Sequence, residues 1–289
     1  MTEENGMENG RDPIVPSMGS PVPEMTSRDE KMEFKLPIGS VDLSNELYRT
    51  VLLGPLDGTV RKKIGRPDIL ANPGRVVTTA LVELLEFSHF KFNDKKAENK
   101  LMIRSMYSGD RAACVLRIRE LTKKQTPIIQ NLDCPHCSAP LQVHTSPAEI
   151  ETIPVEETDY KFEEGEWLLT VSAEGHTARF RLARGFEEEG LSREQIQNIN
   201  ESAYAIVTAA CKDFDGQPVD ADFFEHLDIG IFDEFLGRFI ENQPGPDTTN
   251  SLACSTCSRT FEFAVDPSDF LLPTAGLRRF GRRGRRSGQ

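Results

Sequence analysis

Residues 134–143 read CPHCSAPLQV, and residues 254–263 read CSTCSRTFEF. In each stretch two cysteines lie two residues apart, small or turn-forming residues surround them, and a β-prone run follows. A tetrahedral zinc site needs four soft donors, and each Cys-x-x-Cys turn supplies two of them from one tight loop. The spacing therefore predicts a metal site that holds zinc. Its predicted ligands are Cys134, Cys137, Cys254 and Cys257.

Other interpretations of the cysteines stay open at this point. A redox Cys-x-x-Cys pair usually opens a helix, which lowers the thiol pKa, whereas the residues after both pairs here favour extended structure. The thiols could also be incidental. His136 lies inside the first knuckle and is a candidate substitute ligand, but an exposed knuckle residue is the simpler interpretation. Cys114 and Cys211 fall on apolar helical faces and are interpreted as small core residues.

Four sulfur ligands leave no open position for water, so the predicted zinc is structural and not catalytic. The five histidines are scattered, and the chain has no Glu/His metal motif, glycine-rich phosphate loop or nucleophile elbow. The acidic cluster Glu187–Glu189 is interpreted as a solvated face. We therefore expect a protein that is not an enzyme.

Composition and charge narrow the class of protein. The chain has 289 residues and a net charge of -12, and no run of about 18 apolar residues predicts a membrane span. Residues 1–30 lack the features of a signal peptide and predict a disordered leader, so we expect a cytoplasmic protein with reduced cysteines. Residues 131–270 carry 8 basic and 28 acidic side chains, which favours a basic partner and argues against nucleic acid as the main ligand of the body.

The predicted fold class is α+β, in which small β elements and a four-cysteine zinc ribbon combine with several amphipathic helices. A strand follows each knuckle, and we expect these strands to pair the two halves of the ribbon. The predicted regions are a leader (1–30), a β-hairpin with helices (31–130), the zinc-ribbon region (131–270) with an insertion of a β-hairpin and helices (148–250), and a disordered arginine-rich tail (271–289).

Local patterns place the elements. MEFKLPIGSVD and LYRTVLLGPLDG predict a hairpin across the turn at 40–46, and Pro73 and Gly74 open a helix with one apolar face. A later helix, SGDRAACVLRIRELTKK, is expected to point its arginines away from the core; they are Arg111, Arg117 and Arg119.

The second half predicts a different set of elements. WLLTVSAEGHTARFRLAR predicts another hairpin, and residues 190–213 predict a helix. Residues 220–243 predict an amphipathic helix or helix pair, with Gly230 as a candidate break. Its expected buried stripe is Phe223, Phe224, Leu227, Ile231, Phe235 and Phe239.

Three ordered stretches together resemble a known family. They are FKLPIGSVD…LYRTVLLGPLDG, then MIRSMYSGDRAACVLRIRELT, then CPHC with CSTC far downstream. In this order they resemble the baseplate hub assembly chaperones of T-even-type contractile phage tails, which are also found in phage-like contractile injection systems. The resemblance covers about residues 33–270. The chain departs from the pattern in the alanines and cysteine of the Gly-Asp-Arg helix, at Ser138, and in its arginine-rich end.

The resemblance implies a non-enzymatic assembly chaperone, or a hub-associated protein, that binds baseplate hub or spike proteins in a bacterial or phage-infected cell. The acidic second half and the arginines of the Gly-Asp-Arg helix would offer it two docking faces of opposite charge. The alternative is a zinc-ribbon protein that binds nucleic acid through its tail. The arginines of that tail are Arg278, Arg279, Arg282, Arg283, Arg285 and Arg286.

Overall fold

The computed structural model of the protein describes residues 31–41, 46–87, 95–122, 127–192, 195, 199–220 and 222–271. The predicted leader and almost all of the predicted tail lie outside the described residues. The fold is α+β, as predicted. The described helices are α1 (Gly58–Ile64), α2 (Pro67–Leu70), α3 (Pro73–Leu84), α4 (Lys95–Ser105), α5 (Ser108–Thr122), α6 (Gly185–Gly190), α7 (Ile199–Ala210) and α8 (Ile229–Glu241).

The strands form small antiparallel sheets, ordered β1-β2-β3, β10-β9-β8-β7, β11-β6, β4-β5 and β12-β13. Their bounds are β1 (Met32–Val41), β2 (Leu47–Leu53), β3 (Leu85–Glu86), β4 (Ile128–Asp133), β5 (Pro140–Thr145), β6 (Thr152–Ile153), β7 (Lys161–Glu163), β8 (Glu166–Ala173), β9 (His176–Arg181), β10 (Cys211–Phe214), β11 (Gly245–Pro246), β12 (Thr249–Ala253) and β13 (Thr260–Ala264). None of the helices in the described ranges is long and apolar enough to cross a membrane.

The predicted N-terminal hairpin is confirmed. β1 pairs with β2 in antiparallel register, and the register shifts between Lys35 and Ser40. Gly39 lies in this shift with φ +83°, and a Cβ there would come within 2.6 Å of the Arg49 side chain. Glycine is therefore the residue that this irregular part of the strand requires.

The first core lies between this sheet and the helices α1 to α5. Asn72 caps α3 by accepting a hydrogen bond from the Arg75 amide, and Pro73 occupies the first turn, as the sequence predicted. The apolar face of α3 is buried as expected, through Val76, Val77, Ala80, Leu81 and Leu84. This packing positions the helices against which the cysteine-bearing segments lie.

The second core is built on the predicted hairpin β8–β9. Its turn residues Glu174 and Gly175 both have positive φ, at 49° and 85°, which is the backbone of a type I′ turn. The strand pair packs against the phenylalanines of α8. Of the expected stripe, Phe224, Phe235 and Phe239 are buried. The helix break falls before Asp228, which caps α8, and not at Gly230.

One sequence prediction in this region is wrong. Residues 190–213 are not helical to their end, because Cys211–Phe214 forms the strand β10 at the edge of the second sheet. Asp213 in this strand makes an ion pair of 2.6 Å with Arg179 of β9. The segment pairs with the otherwise unpaired edge of β9, and these long-range hydrogen bonds outweigh the local helical pattern.

Candidate metal centre

Each cysteine pair lies at the tip of its own hairpin. Cys134 and Cys137 connect β4 to β5, and Cys254 and Cys257 connect β12 to β13. Both tips fold in the same way. In the first tip the Cys134 amide donates to the Ala139 carbonyl at 2.9 Å, and the Ser138 amide donates to the Cys134 carbonyl at 2.8 Å. The second tip repeats both hydrogen bonds at the same distances, between Cys254 and Arg259 and between Ser258 and Cys254. Ser138 and Ser258 follow the second cysteines in the left-handed region, with φ of 57° and 59°.

The two hairpins are copies of one unit, separated by 120 residues throughout. The end pair of the first hairpin, Asp133 with Pro140, corresponds to Ala253 with Thr260 in the second. Each second strand runs into a short 3₁₀ helix, Pro147–Glu149 in the first unit and Pro267–Phe270 in the second. The sequence pattern showed only the repeated Cys-x-x-Cys and its β-prone continuation. The constant offset of 120 was the signal for the larger unit.

The strand pairing of the ribbon differs from the prediction. The strand after each knuckle pairs with the strand before that knuckle, and within the described residues the two hairpins form separate two-stranded sheets. A tight Cys-x-x-Cys turn brings its flanking strands within hydrogen-bonding distance, so the two strands of each hairpin pair with each other. The tips of the two units meet at their four thiols, and not through a shared sheet.

The four predicted cysteines form one cluster. Their sulfur atoms all lie within 4.8 Å of one another. Cys134 Sγ lies 3.8 Å from Cys257 Sγ, and Cys137 Sγ lies 3.7 Å from Cys254 Sγ. A disulfide would require about 2.05 Å. Sulfurs bound to one tetrahedral zinc at about 2.3 Å are separated by about 3.8 Å, so the cluster has the donor set and the spacing of a metal site.

The backbone also prepares the cluster for a cation. The amides of Cys257 and Thr256 point at Cys254 and lower the pKa of its thiol to about 6; the Thr256 amide lies 3.4 Å from the sulfur. The Ala139 amide lowers the pKa of Cys137, but removal from water and the three neighbouring thiols outweigh it and raise that pKa to about 12. A bound cation would displace the remaining protons, because thiolates are the ligands.

The other candidate residues lie outside the cluster. His136 is exposed at the tip of the first hairpin and is not one of the clustered donors. Cys114 is buried in the first core, as predicted. Cys211 is buried in the second core. It lies on β10 and not on a helix, so its predicted helical position is wrong while its predicted burial is confirmed.

Helix α5 holds the two units in place, since both 3₁₀ helices pack against it. The prediction that its arginines point outward is wrong for two of the three. Arg111 has no exposed surface and Arg119 is 2% exposed, whereas the Arg117 side chain is 31% exposed and pairs with Glu120. Helix α5 contacts α3, α6, β1, β11 and both 3₁₀ helices, so it has almost no solvent face on which to place a cation.

The buried Arg111 is a hub of hydrogen bonds that sequence reasoning missed. Its Nε donates to Glu188 at 2.9 Å, its Nη1 to the Ile103 carbonyl at 2.9 Å, and its Nη2 to the Gly74 carbonyl and to Thr78 Oγ1, each at 3.0 Å. One guanidinium thus ties α5 to α3, α4 and α6. A planar fork of donors is suited to several partners at once, which lysine could not satisfy.

The two residues before Arg111 have structural roles of the same kind. A Cβ on Gly109 would collide with the Pro244 carbonyl, so only glycine lets the chain cross α5 there. Asp110 is fully buried and accepts hydrogen bonds from the Ile38 amide and from Ser40 Oγ, both at 2.9 Å. Burial raises the pKa of Asp110 to about 7, against these hydrogen bonds. The Gly-Asp-Arg triplet therefore joins β1, the helices and β11 at one point.

Comparisons with family models, with curated proteins and with solved structures return no match to this chain.

Proposed function

We propose that this chain is a non-enzymatic assembly chaperone, or hub-associated protein, for the baseplate of a contractile phage tail or phage-like injection system, and that its cysteine cluster holds a structural zinc ion. The ordered resemblance of three sequence stretches to the hub assembly chaperone family carries this proposal. It is supported by where those stretches lie in the fold. Ile38 and Ser40 of the first stretch donate hydrogen bonds to Asp110 of the second. The Gly109–Arg111 triplet and the four cysteines each join segments that are distant along the chain.

The role assigned to zinc follows from the donor set. Four cysteine thiolates prefer a soft or borderline cation and fill a tetrahedral shell, which leaves no position for water or substrate. The ion would clasp residues 134–137 to residues 254–257 and so close the large loop between them. It would contribute folding free energy and would perform no chemistry.

The proposed partners are hub or spike proteins that present a basic surface. The burial of Arg111 and Arg119 removes the cationic docking face that the sequence had indicated. The docking surface therefore comes from the strongly acidic region 131–270. Complementary charge accelerates encounter and disfavours wrong partners, so we expect association to weaken as salt concentration rises.

The test is co-expression of the full chain with the hub and spike proteins of its own gene cluster, followed by pull-down in zinc-replete medium. Retention of at least one of them, with loss of binding at high salt, is the expected result. Failure to retain any would refute the proposal. Mass spectrometry of purified particles then separates a transient chaperone from a component that stays in the particle.

Binding of nucleic acid through the arginine-rich tail is the alternative, and it stays a prediction because those arginines lie outside the described residues. An electrophoretic shift assay across a salt series, with the full chain and with a variant in which the six tail arginines are serine, separates the two functions. A salt-sensitive shift that requires the arginines would favour the alternative.

A further inference from the structure

A cleft of about 330 Å³ opens beside α5, where the first turns of α3 and α5 meet α6 and the second 3₁₀ helix. Its walls are largely apolar and include Val77, Ala112, Leu191 and Pro267. Its volume lies at the lower end of the range for ligand sites, and its open shape suits an extended chain better than an enclosed small molecule.

The polar residues at the floor of the cleft are buried. Ser108 lines the cleft, but its Oγ has no accessible surface. Arg111 also lies there, but it has no exposed surface, and the four hydrogen bonds described above turn its guanidinium into the protein. The chemistry of a ligand is therefore set by the walls and the rim of the cleft.

The rim of the cleft is acidic. Asp266 is exposed. The Glu188 side chain, which pairs with Arg111, is 27% exposed. Two carboxylates disfavour a negatively charged ligand and favour arginine or lysine. The cleft thus fits a peptide segment that places an aliphatic or aromatic side chain inside and basic side chains at the rim.

The chain itself contains a segment with this chemistry, close to the cleft along the sequence. Residues 277–280 read LRRF, and no acidic residue follows Asp269. The described residues end at Leu271, four residues after Pro267 of the cleft wall. Six further residues lead to Leu277, and they can span about 20 Å when extended. The segment can therefore reach the cleft of its own chain.

We propose that residues 277–280 dock in this cleft, with Leu277 or Phe280 between the apolar walls and the arginines against Asp266 and Glu188. The contact gives the arginine-rich end a specific intrachain site. A partner protein that displaced it would have to present a segment of the same apolar and basic chemistry. The contact does not depend on the proposed baseplate function.

The test measures trypsin cleavage after Arg278 and Arg279 in the zinc-loaded full chain by mass spectrometry. In the Ala112→Lys variant the cleft is filled and made basic, so cleavage should accelerate; if the docked form dominates by ten to one, the increase is about tenfold. The matched control is Ala148→Lys, because Ala148 lines the corresponding groove on the other side of α5. The control should be cut at the wild-type rate.

A second variant keeps the test independent of the fold of the cleft. Leu277→Ser with Phe280→Ser removes the proposed anchors and should accelerate cleavage to the same extent as Ala112→Lys, while hydrogen exchange at the amides of residues 109–112 also accelerates. Equal cleavage rates in wild type and in both variants would overturn the proposal. Protection that increases with protein concentration would overturn it too, since it would place the tail on a second copy.

Discussion

Replacing Arg111 by methionine tests whether one buried guanidinium holds four helices together. Methionine keeps most of the apolar stem but removes all four hydrogen bonds, and so leaves the Ile103 and Gly74 carbonyls and Thr78 Oγ1 without this donor. It also leaves the Glu188 carboxylate, 27% exposed, without its ion-pair partner. Removing one member of a buried pair typically costs about 3–5 kcal/mol. We expect the unfolding free energy of the Arg111→Met variant to fall by about 4 kcal/mol.

The matched control lies on the same helix. Arg117 pairs with Glu120 at the surface, at 2.8 Å, and such pairs contribute about 0–1 kcal/mol. Urea unfolding of the zinc-loaded protein measures the unfolding free energies of Arg111→Met and of the control Arg117→Met, as a shift in the midpoint with an unchanged slope. Arg111→Lys should recover little of the loss, because a single ammonium cannot reach the same set of acceptors. A loss below about 1 kcal/mol for Arg111→Met, or one equal to that of Arg117→Met, would refute the structural role.

Three further outcomes are expected. Elemental analysis should find about one zinc per chain. The Cys134→Ser variant should lose the metal and unfold at a markedly lower temperature, whereas the control Cys211→Ser, on β10, should keep the metal. Full zinc in both variants would contradict the four-cysteine site. Burial raises the pKa of Asp110 to about 7, so the folded state holds a proton that the unfolded state releases near pH 4. The free energy of unfolding should therefore fall as pH rises from about 4 to 7, by on the order of 4 kcal/mol at most. Asp110→Asn should flatten that dependence in unfolding curves at pH 5 and pH 8, and an unchanged slope would argue against it. Gly109→Ala should lower the melting temperature because the added Cβ would meet the Pro244 carbonyl. Gly237→Ala, whose added Cβ would have nothing within 4 Å, should raise the melting temperature by removing a helical glycine. Equal effects would show that the chain does not pass α5 closely at Gly109.

The proximity of the cysteine pairs has a consequence for folding. The loop between Cys137 and Cys254 contains the second core except for Ile38, Tyr107 and the partly buried Val41, so the clasp can form only after the two ends of that region have been brought together. Val265 and Phe270, in and after the second hairpin, are buried in the first core. The contacts of the second unit with α5 therefore preorganise the thiols, and metal binding would stabilise a geometry that packing has already set.

Elements that depend on neighbouring residues were predictable. The knuckles, the hairpins β1–β2 and β8–β9 and the start of α3 follow from spacing, turn residues and caps, which act over a few positions. The donor set of the cluster was also predictable, because two Cys-x-x-Cys turns provide four soft ligands wherever they meet. The fold class followed from these local elements.

Elements that depend on distant segments were not. The sequence read α5 as an amphipathic helix with outward arginines, but neighbours on almost every side bury Arg111 and Arg119. Residues 211–213 were predicted as the end of a helix, but residues 211–214 form a strand along the open edge of β9. The strands beside the knuckles pair within each unit, and not across the ribbon.

The sequence alone therefore determined which residues can bind a metal and where the local elements begin, because propensity, turns and ligand spacing are short-range properties. The tertiary structure decided which charges are buried and how the sulfur atoms come within 4.8 Å of one another. Burial and long-range pairing depend on which surfaces remain to be covered once the chain is compact. That is why the Gly-Asp-Arg triplet, whose arginine the sequence had indicated to point away from the core, is a buried junction of β1, the helices and β11.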